Sequence, residues 1–344
     1  MNKKATIRDV AQYAGVSTAT VSYVLNGVDK VSKNTIIKVH EAVEHLNYYP
    51  DFTAISLSKR KSNLIGIMLP LIEDSPASVF KNNLYYNEFV SGVELVARNR
   101  EFDTMIAGVG NPEECRQWVK KRNLDGLIFL GMFPKKLYKE MKKLDIPIVL
   151  IDTYEKYTDL FDNVQVMDEL GGYLAAKHLI NLGHKSIAFV ATNLKLSPVD
   201  EKRYFGFKKA LKEHGIELDK NLIFETSDIT FEIGVNVGER ILKTKQELTG
   251  IVTVSDILAI GIVKAFQLKG KQVPKDYSVV GFDDLSISKY ITPSLTTIRQ
   301  DIFEKGRSAA DLLINSIQSS AVDMDHQTVE LPVELVIRNS TREL

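Results

Sequence analysis

A single cysteine in 344 residues, Cys115, leaves no partner for an intramolecular disulfide and fits a reducing compartment. Apolar runs are short: none approaches the ~20 residues that span a bilayer. The polar start Met1-Asn2-Lys3-Lys4 is followed by no hydrophobic stretch of the kind a signal peptide needs, so the expected location is cytoplasmic. The marks of catalysis are missing too. There is no Gly-x-Ser-x-Gly elbow and no Gly-x-x-x-x-Gly-Lys phosphate loop, and Gly108-Val109-Gly110 lacks the third glycine of a dinucleotide fingerprint. No ligand spacing suits a metal, so the sequence predicts a non-enzyme without metal or cofactor. Net charge is absent overall but unevenly placed. Residues 1–61 hold nine Lys/Arg against five Asp/Glu, leaving the remainder of the chain acidic by the same margin. A mildly basic head suits nucleic acid, and a homodimer would double its phosphate contacts.

What is present is densest between residues 6 and 60. Ile7, Val10, Ala11 and Ala14 fall at helical spacing behind a Thr6…Asp9 capping box, and the helix ends at Gly15. Val16-Ser17 opens a second helix and Val31-Ser32 a third, each with an apolar residue before the cap that can staple to Val21 or Ile36. The link from Gly15 to Thr18 is short enough to force a steep crossing, the helix-turn-helix arrangement. On the second helix Thr20, Val21, Val24 and Leu25 share a core side, while Thr18, Ala19, Ser22 and Tyr23 lie opposite. Small and hydroxyl side chains near a helix N-terminus let it enter a major groove about 12 Å wide, which makes Thr18, Ala19 and Tyr23 base-reading candidates. An ordinary three-helix bundle with a polar face reads the same way. The third helix is expected from about Lys33 to Leu46, with Ile36, Val39, His40, Val43 and Leu46 on one stripe. Pro50 then forces a fresh start. From Asp51 to Ser58 a short, marginal helix is expected, with Leu57 as a minor-groove wedge and Lys59-Arg60-Lys61 on flanking phosphates.

These residues resemble a family. Thr6-Ile7-x-Asp9-Val10-Ala11-x-Tyr13-Ala14-Gly15-Val16-Ser17-x-x-Thr20-Val21-Ser22-x-Val24-Leu25-Asn26, Val31-Ser32-x-x-Thr35, Leu46-Asn47-Tyr48-x-Pro50 and Ala54-x-x-Leu57 resemble the headpiece of the lactose-repressor (LacI/GalR) family of bacterial transcription regulators. The resemblance implies a homodimeric repressor that binds double-stranded operator DNA under the control of a small-molecule effector. With the helical faces, it gives a DNA-contacting set of Thr6, Ser17, Thr18, Ala19, Thr20, Ser22, Tyr23, Asn26, Ser32, Ala54, Leu57, Lys59 and Arg60. The chain departs from the family pattern at Tyr23, Asp51 and Ile36, so an operator sequence does not transfer.

Beyond Ser62 short apolar runs alternate with amphipathic stretches. Leu64–Leu69, Thr104–Ala107, Gly126–Leu130 and Ile148–Ile151 form one series of strands; Ile187–Val190, Ile251–Val254 and Ser278–Phe282 form another. Alternation of this kind predicts parallel sheets covered by helices on both faces, and two series predict two lobes. The fold class expected is an N-terminal all-α helix-turn-helix headpiece joined to a bilobed α/β core. Pro147–Asp152, His178–Phe189, Arg203-x-x-Gly206-Phe207, Ser255-Asp256-x-x-Ala259-x-Gly261, Val279–Asp284 and Pro293-x-Leu295–Ile298 resemble the same family's effector core, which is similar to periplasmic sugar-binding proteins. The expected divisions are a headpiece at 1–50, a hinge at 51–61 and a core at 62–344. Within the core the N-lobe is placed at about 62–165 plus 294–322, and the C-lobe at about 166–293 plus 323–344.

Ligands in such folds lie beyond the carboxyl ends of the strands. A sugar offers many hydroxyls and an apolar ring face, so it needs planar charged groups and an aromatic platform. The resemblance makes Arg203, Asp256 and the pair Tyr85–Tyr86 effector contacts, with Asp152 and Gln300 beside them. Other roles stay open at this stage: Arg203 as partner of Asp200, Asp256 as a helix cap, Asp283 and Asp284 as turn formers, and His184 as a structural residue in the Gly183 turn. A nucleoside or a docked protein co-regulator is the alternative cue to a sugar. The stretch between Pro70 and Tyr85 is longer than the family's usual spacing. It reshapes the pocket, touches the hinge, or merely lengthens an exposed connection.

Overall fold

The computed structural model describes residues 5–25, 27–28, 30–49, 61–71, 84–244, 247–319 and 325–344. The chain divides after Asn63 into two units.

Among its described residues the small unit has three helices whose ends are written in the sequence. In α1 (Ile7–Ala14) the Thr6 side chain accepts from the Asp9 backbone N–H, and the Asp9 carboxylate accepts from the Thr6 N–H at 2.7 Å. Gly15 closes it at φ 64°, a left-handed conformation that glycine adopts without steric cost. Ser17 Oγ accepts from Thr20 N–H at 3.1 Å to open α2 (Thr18–Leu25), and Ser32 Oγ from Thr35 N–H at 3.3 Å to open α3 (Lys33–His45). Each cap of this kind contributes about 1 kcal/mol. Val10, Ala11, Val21, Val24, Val39, Ala42 and Tyr48 form the core, with Val16, Val31, Ile36 and Leu25 packed on it. One expectation fails: His40 is exposed, and Val39 and Ala42 are the buried residues on that helix. A step of about 100° from Val39 already carries His40 past the apolar stripe. The expectations on Asn26, on the hinge from Pro50 to Arg60 and on the 72–83 stretch lie outside the described residues.

The large unit holds two six-stranded sheets. The first collects β1 (Leu64–Pro70), β2 (Asp103–Val109), β3 (Gly126–Leu130), β4 (Ile148–Ile151) and β5 (Asp162–Val166), with α4 (Leu84–Asn99), α5 (Pro112–Arg122) and α6 (Lys135–Met141) between them. The second collects β6 (Ile187–Ala191), β7 (Ile223–Glu225), β8 (Gly250–Thr253), β9 (Ser278–Asp283) and β10 (Thr296–Gln300), with α7 (Asp168–Asn181), α8 (Pro198–Glu213), α9 (Phe231–Leu242) and α10 (Asp256–Leu268). The chain then returns through α11 (Ile302–Gln318), which packs on the first sheet, to β11 (Thr328–Leu331) beside β5 and β12 (Val333–Val336) beside β10. All described strand pairs are parallel except β10 with β12. The central strands are buried end to end, as sheets covered on both faces require.

The lobe assignment needs two corrections. Residues 296–300 belong to the second sheet, because β10 pairs with β9; only from Ile302 does the chain rejoin the first lobe. Asp301 marks the change by capping α11, its side chain accepting from Glu304 N–H at 2.8 Å. Residues 328–331 conversely belong to the first sheet. Pro332, without an N–H to continue a ladder, lets β11 and β12 part into different sheets. The chain therefore passes between lobes three times, at Met167, Asp301 and Pro332.

Among the described residues three helix pairs touch backbone to backbone: α4 with α11, α7 with α8, and α9 with α10. In α7 and α8 a Cβ on Gly172 would stand 1.9 Å from the Arg203 carbonyl oxygen, and one on Gly206 would stand 1.8 Å from that of Glu169. Reciprocal glycines allow this crossing, and it brings the start of α7 against the second turn of α8.

Candidate functional site

On the small unit, Thr18, Ala19 and Tyr23 are exposed along one face of α2, and Ser22 is half-buried beside them. Thr20 is turned away, its hydroxyl 2.9 Å from Ser17 Oγ. Thr6, Ser17 and Ser32 are the three helix caps. Each hydroxyl oxygen accepts a backbone N–H of its own helix. Of the expected DNA contacts, Asn26, Ala54, Leu57, Lys59 and Arg60 are outside the described residues.

On the large unit, the carboxyl ends of β1, β4, β6, β8, β9 and β10 converge on a cleft of about 550 Å³, within the range of small-molecule sites. Tyr85, Tyr86, Asp152, Arg203 and Gln300 all line it, so five of the six expected effector residues are brought together. A concavity of about 710 Å³ on another face is larger, but Glu169, Glu201, Lys156 and Glu330 stand exposed on it instead of converging.

Each cleft residue is held by a specific partner. Arg203 is buried on α8; its Nε donates to Asp168 Oδ1 at 2.8 Å and its Nη1 to the Val254 carbonyl at 2.7 Å. The guanidinium lies 3.5 Å from the centre of the Phe282 ring. Burial opposes the charge on Arg203, but Asp168, Asp283 and Asp200 outweigh it and hold the pKa above its usual value. Burial likewise pushes the Asp168 carboxyl up while Arg203 pulls it down; the short contact to a guanidinium that stays charged keeps the pair ionic. Asp200 is not the partner. It accepts from Thr192 N–H at 2.8 Å and from the Thr192 hydroxyl. No described residue hydrogen-bonds to Arg203 Nη2, which leaves a donor for a guest in the cleft.

Opposite Arg203 a second cation is built in. Lys305, wholly buried on α11, donates from Nζ to Asp152 at 2.9 and 3.0 Å, to Gln300 Oε1 at 2.7 Å and to the Tyr85 hydroxyl at 3.1 Å. Tyr85 in turn donates to Asp152 Oδ2 at 2.8 Å, and Gln300 Nε2 donates to Asp283 Oδ1 at 2.6 Å. The network Tyr85–Asp152–Lys305–Gln300–Asp283 thus runs from the first lobe to the second. Burial, then Asp152, keeps the Tyr85 phenol well above its usual pKa; burial, then Asp228 and Asp152, pushes Tyr86 up to about 12. Both rings are neutral donors, set edge to face with centroids 5.9 Å apart. Asp152 and Asp283, at the ends of β4 and β9, have φ of 53° and 115°. Strained backbone of this sort persists where surrounding structure over-determines it, as at binding sites.

The two aspartates of the second lobe exchange expected roles. Asp256 is fully buried and does not line the cleft: it accepts from Leu285 N–H at 2.8 Å, Ser288 Oγ at 2.7 Å and Thr297 Oγ1 at 2.5 Å. It stitches α10 to β10 and to the loop after β9, and burial pushes its pKa up to about 8 despite these donors. Asp283 lines the cleft instead, and no described residue hydrogen-bonds its second oxygen. Ser255 caps α10, as the Ser-Asp pair allowed. Asp284 is a scaffold residue, paired with Arg299 at 2.7 Å and with Arg338. His184 is structural, bonded to Thr249 Oγ1 at 2.9 Å and to the Arg342 carbonyl at 3.2 Å.

Asp283 carries a pH prediction. Burial pushes its pKa from an ordinary 3.8 up to about 6, against the pull of Arg203 and Gln300. A raised carboxyl contributes stability that is complete below the unfolded value and is lost as pH rises through the folded one. Asp283→Asn, which keeps an acceptor for Gln300, should remove this loss. Relative to wild type, the variant should gain on the order of 2 kcal/mol on going from pH 4 to pH 7.5. Urea unfolding at the two pH values measures it, and parallel profiles for the two proteins would contradict the assignment.

Asp168, Lys305 and Asp283 are the site residues that sequence reasoning passed over or ranked low. Asp168 follows β5, whose Asp162-Asn163-Val164-Gln165-Val166 run is too polar to announce a strand. Lys305 lies inside an amphipathic helix where a lysine reads as surface.

The profile of bacterial regulatory proteins of the lacI family matches residues 6–51, and that of a periplasmic binding protein-like domain matches residues 176–341. Catabolite control protein A of Priestia megaterium is 31% identical over 342 residues, covering 98% of this chain and 99% of that protein. The chain belongs to the lacI family. Another lacI-family relative, the ribose operon repressor of Halalkalibacterium halodurans, is 33% identical over 341 residues, covering 98% of this chain and 97% of that protein. A crystal structure of the lac repressor dimer bound to operator and the anti-inducer ONPF superposes with a TM-score of 0.85 at 29% identity, over 99% of this chain and all of that one. The lacI-family fold and the DNA-binding, transcription-regulating class are thereby fixed. No helix among the described residues is long and apolar enough to cross a membrane.

Proposed function

We propose that this lacI-family regulator is a cytoplasmic homodimeric repressor of a sugar-utilisation operon, whose affinity for operator DNA is set by an uncharged, hydroxyl-rich sugar bound between the lobes. The observation that carries the effector class is the charge of the cleft. Asp200, Asp228 and Asp283 line it in addition to Asp152, which is paired with Lys305, and Arg203 is committed to Asp168. Such a lining offers acceptors and one guanidinium edge. Sugar hydroxyls, which donate and accept, suit both; a phosphate or carboxylate would meet like charge with no free cation to offset it. A relative named for ribose agrees with this class. The Tyr85–Tyr86 pair is the feature that favours the second reading, a nucleoside, since a base can stack there.

Control of DNA binding follows from the three crossings between lobes. A guest touching both ends of the Tyr85–Asp283 network binds the closed lobe arrangement better than the open one and shifts the population toward it. The test is thermal unfolding of the full chain with D-ribose, other neutral pentoses and hexoses, ribose 5-phosphate and adenosine. A matching sugar at a hundred times its dissociation constant stabilises by ~2.7 kcal/mol, and Arg203→Ala should abolish that shift. Stabilisation by the phosphate or by adenosine, with no neutral sugar active, would replace the reading.

A further inference from the structure

The face of α2 has an unusual composition for a surface that reads base edges. No residue between Thr18 and Leu25 is an arginine, lysine, asparagine, glutamine, aspartate or glutamate. Each of those is the side chain that reads one base by hydrogen bonds in the major groove. Arginine or lysine forks onto guanine N7 and O6, asparagine or glutamine onto adenine, and aspartate or glutamate accepts from cytosine N4. Thr20 lies off this face, its hydroxyl 2.9 Å from Ser17 Oγ. The exposed residues are Thr18, Ala19 and Tyr23, the last 46% exposed; they carry two methyl groups, a ring and two single hydroxyls, none of which forks onto one base. Among the described residues the basic side chains of this unit sit elsewhere: Arg8 on α1, Lys33 and Lys38 on α3, and Lys30 and Lys61 outside the helices, all exposed. They suit phosphates, which position a protein without specifying sequence.

Resting on the operator-binding reading, we propose that α2 selects thymine by its C5 methyl, so that the base pairs under Thr18, Ala19 and Tyr23 are A·T pairs. Thymine is the one base whose major-groove edge carries an apolar group, and alanine, threonine methyls and aromatic rings are its natural contacts. Thr18 and Ala19, at the first two positions of the helix, are small enough to let its N-terminus come close to the base edges. Tyr23, one turn on, reaches further with a flat apolar face and a single hydroxyl, which cannot make the paired bonds that fix a guanine. Affinity and specificity are then divided between different elements, with α1 and α3 supplying charge and α2 supplying methyl contacts.

The experiment is selection of duplex DNA from a random library by the full-length protein, followed by fluorescence anisotropy on the selected site. Each thymine of the half-site is replaced in turn by deoxyuridine, which removes only the methyl group. Thymines under α2 should each cost about fourfold in affinity on losing the methyl, the factor for burying one such group, while thymines outside the half-site should cost nothing. Tyr23→Arg, at an exposed position, should shift the selected base at one position to guanine without altering the circular dichroism of the protein. A site bound equally well with uracil, or a half-site of G·C pairs unchanged by Tyr23→Arg, would overturn the thymine assignment and leave operator binding intact. Failure to enrich any sequence would overturn the operator-binding reading itself, and this inference with it.

Discussion

Lys305→Met is expected to destabilise the large unit by about 3–5 kcal/mol, the usual consequence of stripping one partner from a buried ion pair. Methionine nearly matches lysine in length and packs well, so loss of volume is not the cause. The cause is Asp152, whose carboxylate loses two contacts near 3 Å and keeps only the Tyr85 hydroxyl. Gln300 loses the donor that fixes its carbonyl, and its amide is then free to turn its oxygen toward Asp283. Adding Asp152→Asn should recover most of the stability, because both charges are then gone and Tyr85 retains an acceptor. The double-mutant cycle, read from urea unfolding, should show coupling of about 2 kcal/mol. Losses that simply add, or a single-variant loss below about 1 kcal/mol, would mean that the pair contributes little.

Gly206→Ala should be nearly as severe, at about 3 kcal/mol. The added methyl would meet the Glu169 carbonyl oxygen at 1.8 Å and the Tyr173 nitrogen at 2.6 Å, both of them backbone atoms that cannot swing aside. Helices α7 and α8 must separate, and Asp168 and Arg203 sit on either side of that crossing. The variant should therefore lose effector response along with stability. Lys209→Ala, exposed on the same helix, serves as the control and should stay within about 0.5 kcal/mol of wild type. Equal urea midpoints for the two variants would contradict the backbone contact.

The headpiece was legible in the sequence because its signals are local. A capping box, a glycine stop and two serine caps each act within four residues, and each is found where the pattern placed it. The buried strands were legible for a related reason, since continuous apolar runs have few other uses. Sheet membership was not. Thr328–Val336 reads as one alternating strand, and only the direction taken on either side of Pro332 sends its halves to different sheets. The site shows the same limit. Asp256 and Asp283 both follow an apolar strand, and sequence cannot say which carboxylate turns into the protein body and which into the cleft. That choice depends on Ser288 and Thr297, more than thirty residues away from Asp256, which converge on it. Lys305 was invisible because a lysine in a helix is ordinarily solvated, and its burial depends on Asp152 arriving from the other end of the lobe's sequence.

The three passages of the chain between lobes have a consequence for how this protein can be divided. Neither lobe is encoded by a continuous stretch of gene. A fragment ending before Asp301 would carry the first sheet without α11 and β11, and the second without β12. Nor would a single protease cut in a surface loop release a lobe, since the other two passages would still tether it. Relatives that evolve new effectors from this framework are therefore expected to do so by point changes and loop insertions around the cleft, because exchanging a lobe would require three simultaneous joins.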